Sequence, residues 1–294
     1  MAMINFGSNS EYSKLKSVLL YKPGKEINNY SKPALIDHLR PIDHAAIGAE
    51  FDNIITTFEH FGIDAIQIDA TPTMSDDRMY LYNMMYCRDL LFMTPEGVII
   101  SNMANSLRKE EILYAERTLI KNNIPILHKI SGKGRFEGAD ALWVNKSLVV
   151  VGVGNRTNYE AYEQIKLTLS KMNVDCVQLP SYQTKTQHIL GTVQFVDHDL
   201  VLLRHEITDK KVSKFLEKQH FTVVNVPENI EVRTKQALNI VTISPRNIIM
   251  TNDCPETKEL FIKAGLTIAA ELELTQLING AGGLACAVGI IGRE

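Results

Sequence analysis

Three hairpin-like units recur along this chain at a fixed spacing. Asp89-Leu-Leu-Phe-Met-Thr-Pro-Glu-Gly-Val-Ile-Ile-Ser-Asn102, Asp140-Ala-Leu-Trp-Val-Asn-Lys-Ser-Leu-Val-Val-Val-Gly152 and Gly191-Thr-Val-Gln-Phe-Val-Asp-His-Asp-Leu-Val-Leu-Leu-Arg204 begin at residues 89, 140 and 191, a constant step of 51. A fourth, residues 237–252, follows at a slightly shorter step. Each is an apolar strand, a short turn carrying Pro, Gly, Asn or Asp, and a second strand rich in Val, Ile or Leu. A period near fifty residues restricts the fold to units repeated around an axis or along a line, because one such unit cannot bury its own apolar face.

Between the hairpins, residues 50–61, 108–121, 159–172 and 208–218 carry apolar side chains at three- and four-residue spacing, which predicts helices. Asn158 and Asp209 suit helix starts, and Gly62 suits a helix stop. A short apolar strand follows each helix, at residues 64–69, 125–128, 175–179 and 221–226. The unit is therefore strand, strand, helix, strand, and five units fit the chain. The fifth is expected to form from both chain ends, Lys16-Ser-Val-Leu-Leu-Tyr-Lys-Pro-Gly24 and the glycine-rich C-terminal segment. This predicts an α/β fold in which residues 1–294 form a single circular domain.

Length alone would allow two domains in 294 residues, but the unbroken repeat and the lack of a Pro/Ser-rich linker favour one. An apolar content of 45% supplies a large core. A net charge of −3, with no basic run interleaved with aromatics, argues against a nucleic-acid partner. No apolar stretch reaches membrane-spanning length, and the first residues carry no apolar leader. Cys87, Cys176, Cys254 and Cys286 show neither CxxC nor Cys/His metal spacing. The expectation is a cytoplasmic, reduced protein with no metal and no cofactor, its oligomeric state open.

Cys286 lies in Asn279-Gly280-Ala281-Gly282-Gly283-Leu284-Ala285-Cys286-Ala287-Val288-Gly289, with four glycines in ten residues. Such a segment is expected to adopt positive φ and to bring main chain and thiol close to a ligand. Glu137 lies three residues before the second hairpin and His188 three before the third, again 51 apart. Equivalent positions of a ring face the same axis, so Glu137 and His188 are expected to meet at the centre, with Cys286 brought in by the closing unit. Asp89 and Asp140 open the first two hairpins, so at least one should face the same channel. Singly, each has an ordinary explanation: a packed free cysteine, a satisfied histidine, a turn-capping glutamate. The shared register shifts the reading toward a catalytic thiolate.

Several segments carry a resemblance. Ser10 to Gly24, Arg88-Asp89, Phe136-Glu-Gly-Ala-Asp140, Gly154-Asn-Arg-Thr-Asn158, Gln187-His188 and Gly282-Gly-Leu-Ala-Cys286 resemble the guanidino-group-modifying (pentein) superfamily. That superfamily includes arginine deiminases, dimethylarginine dimethylaminohydrolases and amidinotransferases, and the resemblance runs from about residue 10 to 290. It implies a five-bladed pseudo-symmetric α/β propeller of ββαβ modules and a small guanidino substrate. Carried over, it makes Cys286 the nucleophile and His188 the general acid and base. Glu137 and Asp89 would hold the guanidinium, with Asp140 beside them, and Arg156 would pair with a substrate carboxylate. Arg108 would be a second carboxylate contact. The chemistry fits: carboxylates fix a planar cation, and a thiolate attacks its resonance-stabilised carbon.

One departure bears on substrate. Deiminases and amidinotransferases carry an Asp two residues after the catalytic His, where this chain has Leu190. Dimethylarginine hydrolases also lack it, and an apolar residue there suits an N-substituted guanidine. The expected activity is hydrolysis of arginine or a methylated arginine to citrulline, through a covalent amidino-thioether. Free arginine as the sole substrate, amidino transfer, and a non-catalytic ring-shaped binding protein are the alternatives.

Overall fold

The near-continuous apolar runs of the hairpins, such as Val149-Val-Val151, demand burial on both faces, and a five-fold arrangement of small sheets supplies it. The structure, a computed structural model, describes residues 4–29, 32–70, 81–181 and 186–294. Five three-stranded sheets each combine an antiparallel pair with one parallel strand. In the first sheet β1 (Leu15–Leu20) is central, and β2 (Asp64–Gln67) returns parallel to it after α1 (His44–His60). In the second, β3 (Leu91–Thr94) and β4 (Gly97–Ile100) form the hairpin, and β5 (Ile126–Lys129) follows α2 (Glu111–Lys121). The third repeats the pattern with β6 (Ala141–Asn145), β7 (Leu148–Val153), α3 (Tyr159–Ser170) and β8 (Asp175–Pro180). The fourth uses β9 (Val193–Phe195), β10 (Leu200–Leu203), α4 (Lys210–Lys218) and β11 (Thr222–Asn225). After α5 (Ile230–Thr234), the fifth uses β12 (Val241–Ser244), β13 (Asn247–Thr251), α6 (Pro255–Lys263) and β14 (Thr267–Leu272).

The chain ends close the ring. Two short helices, α7 (Thr275–Asn279) and α8 (Leu284–Ala287), lead into β15 (Gly289–Arg293), which pairs antiparallel with β1. This is the five-bladed α/β propeller that the resemblance implies, and its five units agree with the repeat. Central strands are buried along their length, as β4 and β10 show, whereas the parallel strands β2, β5 and β11 are only partly covered.

Local chemistry explains the boundaries. The Asn158 side chain caps α3 by accepting from the Ala161 N–H at 3.1 Å, and Asp209 caps α4 through the Lys211 N–H at 2.7 Å. Gly62 ends the first helical segment with φ +69°. The helix expected from residue 108 starts later: residues Ser106–Arg108 form a separate 3₁₀ turn before α2. The helix–strand pair α6 and β14 was not among the expected elements. No helix among the described residues is long and apolar enough to cross a membrane.

Candidate active site

The modules repeat a turn as well as strands. In four of them the residue three places before the hairpin opener accepts the opener's N–H. Tyr86 accepts from Asp89 at 3.2 Å, Glu137 from Asp140 at 2.9 Å, His188 from Gly191 at 3.1 Å and Gln236 from Asn239 at 2.7 Å. Cys286 stands three residues before Gly289, where β15 begins. Tyr86, Glu137, His188 and Gln236 thus hold one position of four modules, and Cys286 lies at the corresponding turn region of the closing module. The turns touch in series: α8 meets Cys87–Leu90, which meets Gly138–Asp140, which meets Ile189–Gly191.

A cavity of about 390 Å³ opens over these turns, with Cys286, His188, Asp89, Arg108, Arg156 and Leu190 among its lining. Glu137 and His188 meet as expected, His188 Nε2 lying 2.6 Å from Glu137 Oε2. Glu137 is fully buried. Its other oxygen accepts from the Ala104 N–H at 3.2 Å and lies 3.7 Å from Arg156 Nη1. On the far side of the imidazole, Asp89 Oδ1 lies 3.6 Å from His188 Nδ1. Asp89 Oδ2 accepts from Arg108 Nη1 at 2.6 Å, whereas Oδ1 is buried without a hydrogen-bond partner.

Arg108 and Asp140 sit differently from the expectation. Arg108 is almost fully buried, held by Asp89, by Glu111 Oε2 at 2.9 Å and by the Asn83 carbonyl at 3.0 Å. Its guanidinium is thereby committed to protein partners, and it reads as the brace of Asp89. Asp140 is fully buried behind the cavity wall. Its Oδ1 accepts from the Ile189 N–H at 3.0 Å and its Oδ2 from the Thr157 hydroxyl at 2.7 Å. Both oxygens are taken, so Asp140 holds the turn carrying His188 and leaves none for a ligand. Arg156 lies on the cavity wall, its Nη2 3.4 Å from Asp37 Oδ2.

The glycine segment corrects one expectation. Positive φ falls on Ala281 (+77°), not on the glycines around it. The glycines are needed for close approach: a Cβ on Gly282 would lie 2.3 Å from Tyr86 Cε1, and one on Gly280 2.3 Å from the Tyr86 hydroxyl oxygen. That hydroxyl donates to the Leu277 carbonyl at 2.8 Å and accepts from the Gly282 N–H at 3.1 Å. Cys286 is held from the other side by Asn239, which the hairpin pattern passed over. Asn239 Oδ1 accepts from the Cys286 N–H and Nδ2 donates to Sγ, both at 3.1 Å. Gly282→Ala is expected to push Tyr86 against the loop, displace the thiol and cost about a hundredfold in turnover. Steady-state kinetics on folded protein checks it.

The electrostatics separate these groups. Burial alone would lower the His188 pKa, but Asp89, Glu137 and Asp140 outweigh it and raise it to about 9. Burial alone would raise that of Glu137, but the hydrogen bond and charge of His188, with Arg108 and Arg156, bring it to about 2. An imidazolium–carboxylate pair results. Burial, and after it the Asp89 carboxylate, hold the Cys286 thiol above the ordinary cysteine range, opposed by the Gly283 backbone, Asn239 and Arg108. Without a ligand, burial favours the thiol form of Cys286 in a cavity that the imidazolium form of His188 also lines.

The pair has a stability consequence. His188 titrates above its ordinary 6.5, so its contribution is whole below that value and is lost as pH rises through about 9. Glu137, held below its ordinary 4.5, contributes above that value and loses its share as pH falls through about 2. Asp140, Glu50 and Glu111, raised by burial to about 6, 7 and 8, also lose stability as pH rises from the ordinary carboxylate range through those values, so melting temperature should fall steadily toward alkaline pH. In Glu137→Gln the part of the alkaline fall owed to His188 should end at lower pH, which thermal melts against pH would read.

Asp89, Glu137 and His188 offer ligand atoms within 4.8 Å of one another, a geometry a metal ion could use. Arg108 on Asp89 and Arg156 beside Glu137 already neutralise those carboxylates, so a divalent cation would have to displace or repel two guanidinium groups.

Five ββαβ modules closed by β15 against β1 give the chain the fold of the guanidino-group-modifying (pentein) enzymes. The arginine deiminase family model matches residues 72–214. An arginine deiminase of Streptococcus uberis is 22% identical over 242 residues, covering 69% of this chain and 59% of that protein. An uncharacterized protein of Aeropyrum pernix is 22% identical over 160 residues, covering 54% of each chain. The chain thus spans little more than half the length of these curated relatives. Dimethylarginine dimethylaminohydrolase from Pseudomonas aeruginosa, solved as a cysteine-to-serine variant with citrulline, superposes with a TM-score of 0.75 at 20% identity, over 94% of this chain and 99% of that one. Inosamine-phosphate amidinotransferase from Streptomyces griseus gives 0.75 at 13% identity, over 98% and 97%. These likenesses establish the fold.

Proposed function

We propose that this protein is a cysteine-dependent hydrolase of the guanidino group of arginine or an N-substituted arginine. The observation that carries the reading is Asp89 Oδ1, a buried carboxylate oxygen with no hydrogen-bond partner on a residue lining the same cavity as Cys286 and His188. A buried acceptor without a hydrogen bond is costly even with the His188 ring 3.6 Å away, and a guanidinium N–H satisfies it with opposite charge.

In this reading, binding brings a cation beside the sulfur, which offsets burial and Asp89 and lets the Cys286 proton leave to solvent. The thiolate attacks the guanidino carbon and forms a C–S bond. The His188 imidazolium gives its proton to the departing nitrogen, the C–N bond breaks, and ammonia or an amine leaves an amidino-thioether. His188, now neutral, takes a proton from water as the water oxygen attacks the same carbon. The C–S bond then breaks, returning the thiolate and releasing the ureido product. Glu137 keeps the imidazole oriented and charged for the first transfer.

Arg156 is the group proposed to read an α-carboxylate. Arg156→Lys keeps the charge but loses the planar fork, so it is expected to raise KM for an amino-acid substrate roughly tenfold or more while kcat changes little. Leu190 on the cavity wall supports an N-substituted guanidine, because an alkyl group packs on it where a carboxylate would find no use. The arginine deiminase relatives support plain arginine. Competition between arginine and a methylated arginine decides: strong preference for plain arginine removes the substituted reading. A product lacking the ureido group and requiring an added amine would make the protein an amidinotransferase. No turnover of any guanidino compound would leave a binding protein.

A further inference from the structure

We infer that Asn239 is a catalytic residue of the proposed reaction, the hydrogen-bond donor that holds and stabilises the Cys286 thiolate. The inference rests on Cys286 being the nucleophile of the preceding section.

The module register identifies it. Asn239 stands where the other hairpin modules carry Asp89, Asp140 and Gly191. Asp140 uses Oδ1 to accept the Ile189 N–H of the next module at 3.0 Å, and Asn239 uses Oδ1 to accept the Cys286 N–H of the next module at 3.1 Å. Each side chain clamps a backbone N–H of the next module, Asp140 at the residue after His188 and Asn239 at Cys286 itself. What differs is the second atom. Asp140 Oδ2 accepts from the Thr157 hydroxyl, whereas Asn239 Nδ2 donates to Cys286 Sγ at 3.1 Å. The backbone N–H requires an acceptor, so it fixes which end of the amide faces the sulfur.

A carboxylate at this place would hold the backbone equally well but set a negative charge against an atom that must become an anion. The amide keeps the clamp and turns repulsion into a donated hydrogen bond. Asn239 is buried, and a Cβ on Gly283 would lie 2.7 Å from its Cβ, so only a glycine at 283 lets the two turns approach this closely. His188 is engaged with Glu137, and Arg108 with Asp89 and Glu111. Among the described residues Asn239 is the side chain that donates a hydrogen bond to Sγ. The contact acts twice in the reaction, on the attacking thiolate and on the same sulfur when it leaves the amidino carbon.

The test needs no substrate. The rate of alkylation of Cys286 by iodoacetamide, assigned by peptide mass spectrometry, is followed against pH in the full chain and in Asn239→Asp and Asn239→Ala. In Asn239→Asp the clamp persists while the donor becomes an anion. The midpoint of the alkylation profile should move up by about one pH unit or more, with the rate at neutral pH falling on the order of tenfold and recovering in alkali. Asn239→Ala should shift the midpoint in the same direction, and it carries the test if the Asp variant does not fold. Wild-type midpoints in the folded variants would overturn the inference. A shifted midpoint in a protein that turns over no guanidino compound would instead overturn the proposed activity and leave the contact's effect on the sulfur intact.

Discussion

Cys286→Ser is expected to keep the fold and lose turnover by several orders of magnitude. Serine fits the same space, and Asn239 can hold its hydroxyl as it holds the thiol, with both contacts to residue 286 at 3.1 Å. Packing therefore changes little. What changes is acidity. Burial already holds the thiol above the ordinary cysteine range, and a hydroxyl in the same place starts several units higher. A bound guanidinium can bring a thiol within reach of ionisation, but not an aliphatic hydroxyl. Binding should survive, so the variant should still retain a guanidino ligand by calorimetry. In the unaltered protein, turnover slowed by cold or acid should leave an amidino adduct on Cys286, visible by mass spectrometry. Full activity in the serine variant would remove the covalent mechanism.

The sequence reveals this site unevenly, and the reasons are physical. The hairpins are legible because buried central strands such as Leu148–Val153 must be apolar throughout, and their 51-residue step survives as numbers. The same step pairs Glu137 with His188, found 2.6 Å apart. The step also leads back from Glu137 to Tyr86, but the fourth turn comes three residues early, so Gln236 and Asn239 fall out of step, and apolar pattern cannot mark polar or aromatic residues at turns. The α6 helix escapes because its apolar residues Leu260, Phe261 and Ile262 are consecutive rather than spaced, although Pro255 at its first turn is a start signal. Asp37 and Asn83 lie outside the repeat and line the cavity through tertiary packing alone. The glycines are visible, but their purpose is not: only the Tyr86 ring against Gly282 shows that close approach, rather than positive φ, requires them.

His188→Gln separates two roles that a simple loss of activity would merge. The glutamine amide can still donate to Glu137 Oε2, so the buried carboxylate keeps a partner and the module turn keeps its shape. The proton that His188 carries, with its pKa raised to about 9, is gone. For a guanidino substrate, whose departing nitrogen must be protonated, the loss is expected to be roughly 10²–10⁴-fold. An isothiourea analogue should behave differently, because a thiolate leaves without taking a proton. Its first step should run in the variant, and the second, which needs a base to activate water, should stall. Rapid mixing should therefore show a burst of released thiol, one equivalent per enzyme chain, followed by slow turnover. Equal losses for both substrates, with no burst, would mean that His188 only orients its neighbours and transfers no proton.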